Sequence, residues 1–558
     1  MIPGSLGRYW RTARYLRPRQ LWGQLRQRFD AGVQPFAYTG ELPHLAFREP
    51  LVPFLPSPPH AFFDGEHCFY LLNQQVTFPK GVDWEYAEAG PLWSYHQHQF
   101  DYLRHPALES CARRRLILDW IERHVLGCGW APHPLGLRAI AWTKLLLTEG
   151  VLDLSAADAA VVHRSLASQL LTLQARLETH LLANHYLSNL LALVFAGLCF
   201  EGEVADVWLR SAVEPLAAEL NEQILPDGAH FERSPMYHSL LLENILDCVN
   251  AAKVAKRAPE HLLEQLADAA ARMLGALAIF THPDGQIALF SDSAFGVAAA
   301  PEDLCEYAAA LGMELRGPAR AGLLDGAGFA RLEEAPFSLI ASLAGPMPSY
   351  QPGHAHCDAL AFELCVGDQR IVTDTGVAEY VPGALRDQSR ATRSHATLEI
   401  DGCEQAEWWA AHRVAGRPRV ELLSCEPGRR AAGACTSFAT PRVRHLREFE
   451  VSCDGVLLRD HLAGHTRSVR MTLPLAPGLT PQLQGACAKV LLRGGWHLVF
   501  QLPEALAWRV EELPYFPEFG RVLSRSVLVG EASGFECVET RIMLDATAID
   551  GSQDAAPR

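Results

Sequence analysis

The chain has 558 residues, enough for two large domains or three to four of average size. Apolar residues make up 49% and charged residues 20%, which excludes collagen-like, low-complexity and intrinsically disordered classes. With 49 Lys and Arg against 64 Asp and Glu, the net charge is −15, which argues against a protein that binds nucleic acid by neutralising phosphates. No apolar run reaches the roughly 18 to 20 residues of a membrane-spanning helix, so no transmembrane span is predicted.

Residues 1–85 are predicted to form a basic, proline-rich arm. Five prolines between Pro50 and Pro59 lie too close together for regular structure. Aromatic and aliphatic residues are interleaved with seven arginines that precede Asp30, the first acidic residue. This pattern fits an arm that packs on the protein's own acidic body, or alternatively a membrane surface or an organellar transit peptide. The arginines are Arg8, Arg11, Arg14, Arg17, Arg19, Arg26 and Arg28.

Leader and cysteine patterns favour a cytoplasmic location. No uninterrupted apolar segment of the length that a secretory signal needs follows the basic residues. The fourteen cysteines include no C-x-x-C pair, which excludes a zinc ribbon and a thioredoxin-like motif. Several, such as Cys199 and Cys365, lie in apolar runs and are predicted to be reduced core residues.

Residues 86–322 are predicted to form a helical domain. Apolar residues recur at three- and four-residue spacings in at least six segments joined by short links. Residues 182–200 are apolar nearly all round after the first turns, which predicts an inner helix covered by other helices. The other helical segments are 135–147, 160–177, 204–225, 239–255 and 261–280.

Residues 323–558 are predicted to form an antiparallel all-β domain, a sandwich. Short segments of alternating polar and apolar residues are bounded by Gly, Asp and Pro. A helical half followed by a β half indicates separate domains rather than an interleaved parallel sheet. The predicted strands are 337–343, 360–366, 396–400, 419–423, 469–475 and 496–502.

Two polar clusters interrupt the helical pattern. At the start of the inner helix, Asn184 and His185 each have a polar residue four positions later, and such buried groups need partners or a wet cleft. The cluster is either a helix cap with satisfied polar groups or part of a site. In the second cluster, Pro235 can begin a helix, which places Tyr237 and His238 in its first turn. A tyrosine there is either a core residue with a satisfied hydroxyl or a functional one.

A third cluster, Gly353–Asp358, runs directly into a predicted strand. If that strand has already begun, His354, His356 and Asp358 share one face, because side chains alternate along a strand. Histidines in this density suggest metal binding or proton transfer. The metallo-β-lactamase pattern fits poorly, because Ala359 stands where a further histidine is needed. An amidohydrolase also fits poorly, because that family places H-x-H after the first strand of a barrel, whereas here the motif begins a late β domain.

The three clusters, in this order and on this architecture, resemble the heparinase II/III family of polysaccharide lyases. The resemblance covers roughly residues 86–500. It implies an incomplete (α/α) toroid followed by an antiparallel β-sandwich, with the active cleft between them. The motifs that carry it are Asn184-His185, Phe231–His238, Gly353–Phe362, Asp374–Gly376 and Arg393–Gly402.

The resemblance implies β-elimination at the O4 bond of a uronic acid. Asn184, with help from His185, would stabilise the substrate carboxylate as enolate charge develops. His354 is the candidate base for the C5 proton and Tyr237 the candidate acid for O4, although in relatives the tyrosine performs both steps for some C5 stereochemistries. Tyr380 is a second candidate for the cleft.

The resemblance also implies a structural divalent metal in the β domain. His356, Asp374 and His395 match its ligands, and their N, O, N donor set suits zinc. Arginine grips carboxylate or sulfate bidentately, so at least two of the basic residues near the motifs are expected to face the cleft beside Tyr237 and His354. The candidates are Arg233, Arg386, Arg390, Arg393 and His238.

The leading hypothesis is therefore a metal-containing lyase that acts on an acidic, uronate-containing polysaccharide or oligosaccharide. The alternative is a non-catalytic protein of the same fold that binds such a polysaccharide or takes part in exopolysaccharide biosynthesis. A metal-dependent hydrolase is the third. Heparan sulfate, alginate and bacterial exopolysaccharide all remain open as substrates. Family members are usually exported, which keeps a periplasmic location open.

Overall fold

The computed structural model describes residues 3–30, 34–314 and 321–545. Helices occupy most of the chain up to residue 310. They are α1 (Pro3–Ala13), α2 (Pro18–Asp30), α3 (Pro91–Gln99), α4 (Ser110–Arg123), α5 (Pro132–Leu146), α6 (Ala156–Ala175), α7 (Ala183–Cys199), α8 (Glu203–Gln223), α9 (Pro235–Val254), α10 (Glu260–Phe280), α11 (Pro301–Ala310) and, within the later β region, α12 (Ala384–Arg390).

Strands dominate from residue 322 onward, after five short ones within the helical part. The first five are β1 (His44–Leu45), β2 (Ala61–Phe63), β3 (Cys68–Leu71), β4 (Gln74–Thr77) and β5 (Phe200–Glu201). The others are β6 (Gly322–Leu324), β7 (Phe329–Glu334), β8 (Phe337–Ser342), β9 (Phe362–Val366), β10 (Gln369–Val372), β11 (Leu398–Ile400), β12 (Trp408–Trp409), β13 (Arg413–Val414), β14 (Arg419–Glu426), β15 (Arg430–Thr436), β16 (Arg444–Ser452), β17 (Gly455–Ala463), β18 (Val469–Pro474), β19 (Gln482–Gln484), β20 (Cys487–Leu491), β21 (His497–Gln501), β22 (Ala507–Glu518), β23 (Arg521–Ala532) and β24 (Cys537–Leu544).

The β half is built from antiparallel sheets, as predicted. A five-stranded sheet has the order β10-β9-β8-β7-β6, an eight-stranded sheet β14-β15-β16-β17-β24-β21-β20-β19, and a four-stranded sheet β11-β18-β23-β22. Strand β16 lies against β7 and β8. The apolar faces enclose one core that includes Leu332, Phe362 and Phe449. A helical half followed by packed antiparallel sheets is the fold class that the sequence predicts.

The inner helix is confirmed as α7. It contacts α5, α8 and α9, and all of its residues except His185 are buried. A helix that is apolar all round is stable only when other helices cover it, which is the arrangement found here. The six helical segments predicted from periodicity correspond to α5 through α10.

The N-terminal arm contains more regular structure than its proline content predicts. Helices α1 and α2 precede a three-stranded sheet of β2, β3 and β4, whereas residues 46–60, which include the five clustered prolines, contain neither helix nor strand. The arm packs on the body through ion pairs from Arg11 to Glu407 and from Arg17 to Glu222. Packing on the acidic body is the first of the interpretations given above for the arm.

The cysteine prediction is confirmed only in part. All fourteen thiols are unpaired and six are buried, but Cys111, Cys453 and Cys537 are exposed and are not core residues. Within residues 3–30, 34–314 and 321–545, helices that combine the length and the apolar character needed to cross a bilayer are absent.

Candidate active site

A cleft of about 660 Å³ lies where the first turns of α7 and α9 meet loops of the β half. All five residues predicted to be catalytic line it. Two come from α7, one from α9, one from the loop before β9 and one from the loop after β10: Asn184, His185, Tyr237, His354 and Tyr380. The fold therefore brings together side chains that are far apart in sequence.

Left-handed backbone conformations lie next to three of the segments around the cleft. Ala183, Arg233 and Ser291 have φ angles of 52°, 61° and 56°. Ala183 directly precedes Asn184, Arg233 precedes the cap of α9, and Ser291 precedes Asp292. Residues with a Cβ adopt this conformation at an energetic cost and keep it where surrounding contacts enforce it, as at binding and catalytic sites.

Tyr237 is positioned by the start of α9. The Oγ of Ser234 accepts a hydrogen bond from the Tyr237 backbone N–H at 3.2 Å, and Pro235 occupies the first helical position as predicted. The Tyr237 ring stacks on His354 with centroids 3.9 Å apart, and its hydroxyl lies 3.1 Å from that of Tyr380. Burial raises the pKa of Tyr237 well above its usual value, so the phenol is protonated at neutral pH.

Both ring nitrogens of His354 are engaged. Nδ1 lies 2.9 Å from Asp292 Oδ2, while Nε2 lies 3.2 Å from Glu232 Oε2 and 3.3 Å from Asn184 Nδ2. Burial opposes ionisation of Asp292, but the Arg386 guanidinium and hydrogen bonds from two histidines hold its pKa well below the usual range. An ionised carboxylate only accepts hydrogen bonds, so Nδ1 donates to Asp292, and in the neutral imidazole Nε2 then accepts from the Asn184 amide.

Two buried carboxylates anchor the first polar cluster. The backbone N–H and Nδ2 of Asn184 both donate to Glu232 Oε1, at 2.8 and 2.9 Å. His185 Nδ1 lies 3.0 Å from Glu178 Oε1, and Asn189 donates to Glu178 Oε2 at 3.1 Å. Burial lowers the pKa of His185, but the charge and hydrogen bond of Glu178 outweigh it and the pKa is raised. Glu178 therefore favours a cationic His185 at the cleft wall.

The conditional expectation that His354, His356 and Asp358 share one strand face is wrong, because β9 begins only at Phe362 and the preceding residues form a loop. The loop allows both histidines to reach the same carboxylate. His356 Nε2 lies 2.9 Å from Asp292 Oδ1, whereas His354 contacts the other oxygen of the same carboxylate, Oδ2. One acid from the loop after α10 therefore orients both histidines.

The three predicted metal ligands are buried together. One ligand atom each from His356, Asp374 and His395 lies within 4.8 Å of the others. His395 Nδ1 is 2.9 Å from Asp374 Oδ2. Among the residues that the structure describes, His356 Nδ1 and His395 Nε2 are buried without a hydrogen-bond partner. Two unsatisfied imidazole nitrogens beside a carboxylate are a donor set that fits a divalent cation such as zinc.

The basic residues predicted to bind substrate do not line the cleft, so that expectation is corrected. Arg233 and Arg390 donate to backbone carbonyl groups, and His238 is buried with Nε2 2.9 Å from another carbonyl. Arg386 pairs with Asp292, and Arg393 is exposed outside the cleft. Arginine carries several N–H donors, and Arg233 and Arg390 each use at least two of them to satisfy backbone carbonyl groups of neighbouring segments.

Other functional candidates were not predicted. Arg413, from the β12–β13 hairpin, lines the cleft together with His133, His412 and Glu379. Burial lowers the pKa of both histidines to about 3, so they are neutral and Arg413 supplies fixed positive charge. Asp292 was also missed, although a Ser-Asp-Ser triplet interrupting an apolar run marks its position in the sequence.

Family models match both halves of the chain. "Heparinase II/III N-terminus" matches residues 166–309, and "Heparinase II/III-like, C-terminal" matches residues 316–542. A heparin-sulfate lyase of Pedobacter heparinus is 26% identical over 243 residues, which are 39% of this chain and 36% of that protein. The FtsZ-localized protein C of Caulobacter vibrioides is 27% identical over 395 residues, 66% of this chain and 65% of that protein. The match thus spans less than two thirds of either relative.

Solved structures of related proteins share the fold. A crystal structure of heparinase III aligns with a TM-score of 0.66 at 17% identity, covering 84% of this chain and 80% of that one. Heparan sulfate lyase HepC from Pedobacter heparinus aligns with a TM-score of 0.53 at 18% identity, covering 84% and 79%. Because the two family models together extend across the helical and the β half, the chain belongs to the heparinase II/III family.

Proposed function

We propose that the protein cleaves an acidic, uronate-containing polysaccharide by β-elimination. The observation that carries the proposal is the stacked pair of Tyr237 and His354 at the wall of one cleft, with His354 oriented by the Asp292 carboxylate. Membership in a family that includes lyases supports a polysaccharide lyase in general. The uronate and the elimination chemistry are inferred from the residue types at the cleft.

The first chemical requirement is to stabilise the charge that develops on the uronate carboxylate as C5 loses its proton. His185, held cationic by Glu178, and Arg413 both line the cleft and supply positive charge. Asn184 is the predicted amide donor, but its Nδ2 already donates to Glu232. A substrate carboxylate would therefore bind Asn184 in competition with Glu232.

Proton transfer is assigned to His354 and Tyr237. Nε2 of His354 would accept the C5 proton, because Asp292 fixes the other proton on Nδ1 and stabilises the imidazolium that forms. The Tyr237 hydroxyl would then protonate the leaving O4. Its raised pKa favours the acid role over the base role, because the phenol keeps its proton until the leaving oxygen becomes strongly basic. The hydroxyl of Tyr380 is close enough to orient that of Tyr237.

The metal is assigned a structural role. His356, Asp374 and His395 would hold a zinc-type ion, which when bound would crosslink the loops that carry them. The loop with His356 also carries His354, so the ion would help to fix the base without taking part in proton transfer.

A second candidate function is binding of the polysaccharide without cleavage. It is favoured by Glu232, whose carboxylate lies 3.2 Å from the nitrogen of His354 that would act as the base. The FtsZ-localized protein C, which aligns with 66% of this chain, is named for localisation with FtsZ rather than for catalysis.

The two candidates are distinguished by ultraviolet absorbance, because only elimination leaves a conjugated, unsaturated uronate. Heparan sulfate, alginate and other uronate polymers would each be incubated with the protein. Tyr237→Phe should fold normally and lose at least about a hundredfold in turnover, whereas the control Tyr70→Phe, at the exposed position of strand β3, should not. Unchanged turnover in Tyr237→Phe would exclude the proposed acid. Polymer binding without absorbance would support the second candidate.

A further inference from the structure

Helices α1 and α2 expose apolar side chains instead of burying them. Leu6 and Trp10 of α1 are 64% and 70% exposed, and Leu21, Trp22 and Leu25 of α2 are 51%, 72% and 47% exposed. Their spacing of three and four residues places them along one stripe on each helix. With Tyr9, which is 53% exposed, six of the nineteen large hydrophobic side chains exposed in the described part of the chain are therefore concentrated within twenty residues.

The inward faces of the two helices, and the link of residues 14–17 between them, bind the body through polar contacts. Two N–H groups of Arg11 donate to the Glu407 carboxylate at 2.7 Å each, and Arg17 pairs with Glu222. Gly23 lies so close to a neighbouring backbone segment that a Cβ there would approach it to 2.6 Å. Docking on the body thus uses arginine and glycine, and it leaves the apolar stripes to solvent.

The charge distribution identifies the kind of surface that would cover the stripes. Residues 1–29 contain seven arginines and no carboxylate, and the rest of the chain has a net charge of −22, seven units more negative than the whole. An anionic bilayer attracts the helices and repels the body, so it would orient the protein with the stripes toward the lipid. Tryptophan and leucine flanked by arginine are typical of helices that lie in a membrane interface.

We propose that α1 and α2 form a binding surface for an anionic membrane. Trp10 and Trp22 insert at the level of the headgroups, with Leu6, Leu21 and Leu25 beside them, and the excess positive charge of the segment attracts the anionic headgroups. This surface is separate from the cleft residues, so the proposal does not depend on whether the protein is a lyase.

Sedimentation of the full chain with vesicles tests the proposal. The protein should bind phosphatidylglycerol–phosphatidylcholine vesicles at least about tenfold more strongly than phosphatidylcholine vesicles, and added salt should weaken the binding. Trp10→Glu/Trp22→Glu should lose at least about tenfold in binding and keep the wild-type melting temperature, because both rings are largely exposed. The matched control Leu491→Glu, a 57% exposed position on β20, should bind like the wild type.

Three results would overturn the proposal. The first is absence of binding to anionic vesicles by the wild-type chain. The second is equal binding by wild type and Trp10→Glu/Trp22→Glu when both melt at the same temperature. The third is light scattering that shows a dimer abolished by the double substitution, together with no vesicle binding, which would assign the stripes to a second copy of the chain. If the double variant misfolds, the salt dependence and lipid preference of the wild type decide the matter.

Discussion

Replacing Asp292 with Asn should destabilise the protein by about 3–5 kcal/mol. Asp292 is completely buried, and its carboxylate interacts with two N–H groups of Arg386, with His354 Nδ1 and with His356 Nε2. Asn preserves the shape of the side chain but removes the negative charge, so the guanidinium of Arg386 is left buried without a counter-charge. Because domains are stabilised by only about 5–15 kcal/mol, this loss is large.

The same substitution should impair catalysis, if the protein is a lyase, by a separate route. Asn can present its amide nitrogen to His354 Nδ1, and the imidazole then adopts the tautomer with the proton on Nε2, which cannot accept a proton from C5. Loss of the correct tautomer costs on the order of 10⁴ in turnover in the Ser-His-Asp triad, and a comparable fall is expected here.

Urea unfolding measures the stability effect. The matched control is Asp268→Asn, which removes a carboxylate that is 55% exposed and paired with Arg272 on the surface of α10, and it should cost less than about 1 kcal/mol. Combining Asp292→Asn with Arg386→Met should recover part of the loss, because the unpaired charge is removed. Asp292→Asn with the unfolding midpoint of the wild type would refute the reasoning.

Three further outcomes are expected. Elemental analysis should find about one zinc-type ion per chain, and His395→Ala should lose it. The control His445→Ala, which removes another buried histidine bonded to a carboxylate, should retain the ion. A metal-free wild type would contradict the site. Burial lowers the pKa of His185 and Glu178 raises it by more, so the His185 cation is lost as pH rises through that raised pKa. Glu178→Gln should therefore shift the high-pH fall of kcat/KM to lower pH. Superimposable pH profiles of kcat/KM for the wild type and the variant would contradict this. Arg413→Ala should raise KM about tenfold with little change in kcat, whereas an equal loss in kcat would argue against a binding role.

The helices and strands were predictable where the sequence has strong periodicity. The all-round apolar pattern of α7 predicts its burial because only an inner helix tolerates it. The sheet of β2, β3 and β4 was not predictable, because its strands are three or four residues long. Phe63, Phe69 and Leu71 are completely buried and belong to the same core as the helices, so tertiary packing rather than local propensity stabilises that sheet.

Motifs located the cleft, but the direction of each side chain was beyond the sequence. Asn184 and Tyr237 lie at helix starts, where the helix itself fixes their orientation toward the cleft. Arg390 lies close to motif residues in the chain and yet its guanidinium is used by backbone carbonyl groups. Asp292 acquires its role only when the loop after α10 meets the loop before β9, a long-range contact that no local pattern encodes.

The N-terminal helices also connect two parts of the cleft wall. Helix α1 rests on the β12–β13 hairpin, which carries Arg413, while α2 contacts the segment that leads into α7, which includes Leu181 and Leu182 of the wall. Only residues 14–17 join the two helices. Any hinge motion that widened the cleft would therefore stretch this short link or detach one helix. The two helices therefore connect the two sides of the cleft, and a surface that held both helices in one plane would also limit how far the cleft could open.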